Sequence, residues 1–380
     1  MDAMRGRGSM FELKPDFETT LRRMEAFWAR ELIDRPLVTF SLSKPVEQRV
    51  SYPASGHATA ADRWLDAEYQ ANYMLAALSN QLFLGDTLPV ASVNLGPDVL
   101  ASLYGCELLF GDYGTSWSRP KLTSWDEADQ IAIDLEGFYM RKLMELTDAF
   151  LKVGRGKFIT GMADWHTGGD LLAAFRGVET LAVDLLESRE AVKALLRRLE
   201  ADYFRVYDLF YDKLRGAGLP LTTWLPLASN SRYYVPSNDF SILISNRMFE
   251  EVFLTGITRE CQFLDHSIYH LDGPGALRHL DSILGIEKLD ALQFVPGDGN
   301  EGYARWIPVY QKAQRARKAI EVFCRSDELS LVMDTLRPEG VWLAIDGVSD
   351  RETGEAILAA VEKWTVSSSR SKPIVGMQHG

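Results

Sequence analysis

The sequence predicts an α/β protein, a single (β/α)8 TIM barrel over residues 10–365 with a decorated N-terminal region. Three observations lead there. Short β-branched or aromatic runs alternate with helical patterns of ten or more residues, which means parallel strands joined by right-handed crossovers. About eight such units follow one another, one barrel's worth. No P-loop motif accompanies any of them, and the Gly297-Asp-Gly299 turn after the last apolar residues of 291–295 is a weak signal on its own.

The elements follow in order. Phe17 to Leu32 has helical spacing and stops at Arg35-Pro36, and Leu37 to Leu42 reads as the first strand. Residues 43–58 form a loop, and Ala60 to Gln81 is a helix. Asn94 to Pro120, rich in glycine and aromatics, suggests a flap over an active site. Beyond Trp125 the alternation becomes regular. A helix over 127–153 precedes a strand over 157–162, and helical pieces over 171–175, 178–187 and 191–215 follow. Leu221 to Leu225 and Phe240 to Ile244 are strand-like. A helix over 246–264 leads to the strand 268–270, and a helix over 276–284 to the strand 291–295. Further helices at 306–317, 328–336 and 351–364 flank strands at 319–323 and 341–345. Residues 1–9 and 366–380 read as mobile tails.

Composition narrows the function classes. A hydrophobic fraction of 46% and a charged fraction of 25% are those of a globular protein. The net charge of -12 argues against a nucleic-acid surface, which needs a basic stripe. Cys106, Cys261 and Cys324 form no CxxC pair, so neither a disulfide framework nor a zinc ribbon is expected. With no signal-peptide core and no membrane-length apolar run, a cytoplasmic protein acting on a small molecule is expected, with dimerisation left open.

The most informative stretch is Ser267-Ile-Tyr-His-Leu-Asp-Gly-Pro-Gly275. Side chains two apart on a strand point the same way, so His270 and Asp272 aim together at the strand's carboxyl end. In a parallel barrel that end holds the catalytic groups.

Ser245-Asn-Arg-Met-Phe249 before a long helix, the strand ending His270-Leu-Asp-Gly273, and Leu289-Asp-Ala-Leu-Gln293 after it resemble the uroporphyrinogen decarboxylase superfamily. Ala344-Ile-Asp-Gly347 resembles its terminal strand, and the match runs in order over about residues 150–365. The resemblance implies a TIM barrel. It also implies a reaction from a superfamily that includes cobalamin-dependent methyltransferases moving methyl groups to thiols. Two departures count. The first strand continues Ser41-Leu-Ser-Lys44, without the arginine pair by which the decarboxylases grip carboxylates. Asp272 and Asp346 stand where the zinc methyltransferases carry cysteines, so their thiolate site is not reproduced. Asp86 stands roughly where the decarboxylases keep an aspartate that organises pyrrole nitrogens.

Three chemistries stay open. His270, Asp272 and Asp346 offer one nitrogen and two carboxylates to a divalent metal such as zinc or manganese. Alternatively Asp164, Asp170, Asp272, Asp298 and Asp346, all near strand ends, supply a metal-free acid and base. Or His270 and Asp272 simply bond each other and nearby backbone. His166, in the loop with Gly168 and Gly169, is a candidate proton shuttle. Trp117, Trp165, Trp224 and Trp306 offer stacking faces, Arg232 and Arg176 an anchor for an anion, and Asp239 and Asp298 polar contacts to substrate. The favoured reading is methyl transfer on a small polar substrate, metal-assisted or not. Any corrinoid would be carried by a separate protein. The alternatives are decarboxylation of a small or tetrapyrrole-like acid, glycoside hydrolysis by paired carboxylates, and a non-catalytic binding role.

Overall fold

The computed structural model describes residues 10–111 and 114–370, with side chains described as far as residue 365. The expected tail over 1–9, and the expected tail from 371 on, lie outside the described residues. The last helix spans Arg351–Arg370 and overlaps the start of the expected C-terminal tail.

Ten strands occur among the described residues. They are β1 Leu37–Phe40, β2 Val90–Ser92, β3 Glu107–Phe110, β4 Ser116–Arg119 and β5 Ile159–Gly161. After them come β6 Tyr233–Tyr234, β7 His266–Asp272, β8 Ala291–Val295, β9 Ala319–Arg325 and β10 Val341–Asp346. One six-stranded sheet runs β1-β10-β9-β8-β7-β6 with every pair parallel. A second parallel pair joins β2 to β5, and β3 and β4 form an antiparallel hairpin within the expected flap. The continuous eight-stranded ladder of the expected barrel is therefore not formed. What the chain builds is a mixed α/β fold around a six-stranded parallel sheet.

Strands β7 to β10 follow the sequence closely because each is an apolar run buried on both faces, as parallel strands under helices must be. Two expected strands are corrected. Phe240 to Ile244 lies in a 3-10 helix, Asp239–Leu243, whose first N–H groups are taken by the Asp170 carboxylate rather than by a neighbouring strand. Leu221 turns back to pair antiparallel with Ser229, in a segment flanked by Pro220 and Pro226. Their places are taken by β2 and by the two-residue β6, both too short to carry a period. The expected helix over 60–81 breaks at Asp66, which caps the second piece by accepting the Tyr69 N–H.

All three cysteines are buried and free, and burial pushes each thiol up to about 12. Among the described residues no helix is long and apolar enough to cross a membrane.

Candidate active site

The carboxyl ends of the parallel neighbours β6 and β7, and of β5 in the β2–β5 pair, carry residues that come together. The residues that follow them carry most of the ionisable groups on that side. After β5 come Asp164 and His166, then the helix Gly168–Arg176 with Asp170 in its first turn. After β6 comes Asp239, and β7 itself supplies His270 and Asp272.

His166 Nε2 lies 3.4 Å from Asp164 Oδ2, and its Nδ1 lies 3.9 Å from Asp170 Oδ2. Asp170 accepts the N–H groups of Asp239 at 2.9 Å and Phe240 at 2.7 Å, so the loop after β6 is held against the helix after β5. The approach is close: a Cβ on Gly169 would sit 2.4 Å from Asn238 Oδ1, so that side chain would have to move.

The cluster is rich in negative charge. Among the described residues no lysine or arginine pairs with Asp164, Asp170, Asp239 or Asp272. Burial works against a charged His166, but Asp164, Asp170 and Asp239 outweigh it and lift the imidazole pKa to about 10. Asp170 is raised to about 6, first by burial and then by Asp239, against the opposing pull of His166. Asp239 is raised as well, by burial foremost and by Asp272 and Asp164, while His270 and His166 pull the other way. These interactions place all six groups in one electrostatic neighbourhood.

His270 is held from behind. It stands in register with Gln293 on β8 and, through it, Glu321 on β9. Its Nδ1 lies 2.5 Å from Gln293 Oε1, and Gln293 Nε2 donates to Glu321 Oε2 at 2.6 Å. With the carboxamide nitrogen committed to Glu321, its oxygen receives the Nδ1 proton of His270, which fixes the tautomer and leaves Nε2 as the basic position. Trp224 meets the ring edge-on at 5.3 Å. Glu321 is buried with no cation paired to it among the described residues, and burial raises its carboxyl to about 8.

The expected three-ligand set is not assembled. Asp346 ends β10 in register with Arg325, four residues beyond the Glu321 level that His270 shares. At ~3.3 Å per residue that is about 13 Å along the strand direction. Asp272 and Asp346 are both exposed. Among the described residues the one group of three whose ligand atoms all lie within 4.8 Å of one another is His166, Asp170 and Asp239. Those donors fit a cation: one imidazole nitrogen, two carboxylates, and an Asp239 Oδ1 that is buried without a hydrogen-bond partner.

Other expected contacts fall elsewhere. Asp86 is fully buried at the amino end of β1, where it accepts the Val38 N–H at 2.9 Å and pairs with Arg35 and Arg23. It holds the sheet together at the end opposite the cluster. Arg232 immediately precedes β6, also at the amino end, bonded to Asp208 and lying over the Tyr211 ring at 4.6 Å. Arg176 pairs with Asp184 at 2.7 Å. Trp165 is 2% exposed and packs on Phe210, so it offers no stacking face. Trp117 is half exposed on the hairpin, without a ring contact or hydrogen bond to the cluster. Asp298 is exposed in the loop after β8.

The residues sequence reasoning passed over are Gln293, Glu321 and Asn238. A signal existed for two of them. Gln293 and Glu321 are single polar residues in the middle of buried apolar strands, where burial demands a partner.

No family model matches this chain, and no curated protein matches it. Among solved structures, a methyltransferase from Methanosarcina mazei superposes with a TM-score of 0.58. The match covers 91% of this chain and 98% of that one at 12% sequence identity, so the two share a fold.

Proposed function

We propose that the chain is a methyl-transfer enzyme acting on a small polar substrate at the cluster of Asp164, His166, Asp170, Asp239 and His270. The observation that carries this reading is the convergence of those groups at the carboxyl ends of β5, β6 and β7, in a chain sharing its fold with a methyltransferase. In this reading residues 10–365 form one domain and the eight parallel strands one (β/α)8 barrel. Main-chain bonds near both breaks in the ladder support closure: Asp86 N–H to Val38 O at 2.7 Å, and Met162 N–H to Thr222 O at 2.9 Å.

His166, Asp170 and Asp239 would hold a divalent cation, zinc or manganese, which when bound supplies a Lewis acid for a substrate oxygen. The protein's own groups do the rest. His270, with Nδ1 committed to Gln293, takes or holds a proton at Nε2. Asp164 orients the His166 ring. Trp224 shields one side of His270 from water. The methyl donor would be a corrinoid carried by a separate protein. Mixing the protein with methylcobalamin and a thiol should change the cobalamin absorbance. Release of CO2 from an acid, or colour from aryl glycosides, with no cobalamin change would replace this reading with decarboxylation or hydrolysis.

A further inference from the structure

Behind the cluster lies a separate cavity of about 320 Å3, walled by the helices Arg189–Gly216, Asn246–Val252 and Leu254–Phe263 and by the start of Gly168–Arg176. None of the cluster's ionisable groups lines it. Thr167 and Asn238, the chain neighbours of His166 and Asp239, form the shared wall.

Its inner end holds polar groups that the protein does not satisfy. Glu260 is 5% exposed, and one oxygen accepts the Thr167 hydroxyl at 2.6 Å. The other has no hydrogen-bond partner among the described residues. Glu200 gives one oxygen to Arg259 at 3.0 Å, while its Oε1 is buried without a partner. The Tyr203 hydroxyl, on a residue 1% exposed, is likewise unpartnered. Burial foremost, and then the acids Glu200 and Asp170, raise the Glu260 carboxyl to about 8 against the pull of the Thr167 hydrogen bond. The cations lining the cavity are placed differently: Lys193 is bonded to Glu251, Arg259 to Glu200, and Arg197 is exposed. Leu171, Leu196, Phe253 and Ile257 supply apolar walls between the two ends.

We propose that this cavity binds a small primary amine, its ammonium received by Glu260 with Glu200 and Tyr203 and its apolar body lying against Leu171, Leu196, Phe253 and Ile257. An ammonium group brings three N–H donors to three acceptors and places a positive charge beside Glu260, to which no cation is bonded among the described residues. The volume is at the small end of ligand pockets, enough for a ring and a short tail. A free amino acid would place the same ammonium inside and its carboxylate toward Arg197.

The test uses calorimetry and thermal unfolding of the full chain with 2-phenylethylamine, phenylalanine, 2-phenylethanol and 3-phenylpropionate. The amine should bind and raise Tm, the alcohol and the acid should not, and tighter binding of phenylalanine than of the amine would identify the amino acid as the source. Glu260→Gln keeps an acceptor for Thr167 and should weaken amine binding tenfold or more. Leu196→Phe, which narrows the cavity without touching an acid, should weaken it too. Asp239→Asn in the neighbouring cluster should leave it unchanged. Equal binding of the alcohol, unchanged affinity in Glu260→Gln, loss of affinity in Asp239→Asn alone, or no binding of either ammonium compound would overturn the proposal.

Discussion

His270 and Glu321 stand two strands apart at the same level of the sheet, and the carboxamide of Gln293 between them bonds to both. Replacing it by leucine keeps most of the volume and leaves both partners unpaired. Gln293→Leu should cost about 1–3 kcal/mol of stability in urea unfolding. Because His270 then loses its fixed tautomer, kcat for methyl transfer should fall by about 10- to 100-fold with KM little changed. An unchanged kcat at reduced stability would make the row purely structural.

Glu321 keeps its proton in the folded chain up to about pH 8, while an unfolded glutamate releases it near 4.5. The stability it contributes is fully present below 4.5 and is lost as pH rises toward about 8. The slope is about 1.4 kcal/mol per pH unit for one such group. Glu321→Gln does not ionise, so its unfolding free energy should decline less steeply than the parent's across that window. Parallel curves would show Glu321 ionised in the native state.

Asp170 and Asp239 should separate on mutation although both face His166. Asp170 takes two backbone N–H groups, so Asp170→Asn turns a donor toward one of them and should destabilise by about 1–3 kcal/mol. The Asp239 carboxylate makes no hydrogen bond among the described residues, and Asp239→Asn removes a crowded charge. Its Tm should hold or rise while methyl transfer is lost, the usual mark of a group kept for function. A Tm drop in Asp239→Asn matching that of Asp170→Asn would assign it a structural role.

Elemental analysis after dialysis against zinc or manganese should give about one ion per chain, abolished by His166→Ala. Asp346→Asn should retain it, because Asp346 sits at a different level of the sheet. The reverse pattern would restore His270, Asp272 and Asp346 as the ligands.

Asp86→Asn tests the opposite end. Removing one partner of a buried ion pair typically costs about 3–5 kcal/mol. The variant should melt much earlier than the parent, with kcat per folded molecule unchanged. A selective loss of kcat would return Asp86 to the substrate.

The strands from residue 266 onward were legible because each is a short, largely apolar run bounded by turns, a pattern that survives without knowledge of its neighbours. Tyr233–Tyr234 was not, since two residues carry no period, and Phe240 to Ile244 misled because short apolar runs suit strand and buried helix alike. For the site, the importance of His270 and the presence of Asp164, His166 and Asp170 near one strand end could be read. The partnership with Asp239 could not, because it depends on a loop some seventy residues away being drawn in by Asp170. Asp346 looked equivalent to Asp272 by its strand-end position. Register, which a single sequence does not encode locally, puts it elsewhere.

The contact between Gly169 and Asn238 makes a position with no functional group a point of control. A single methyl there would meet the Asn238 amide and force that side chain, next to Asp239 in the chain, out of its place against the helix that carries Asp170, without touching either carboxylate. A random-mutagenesis screen for inactive but folded protein should therefore return Gly169→Ala beside the charged positions, as a hit whose lesion is distance rather than chemistry.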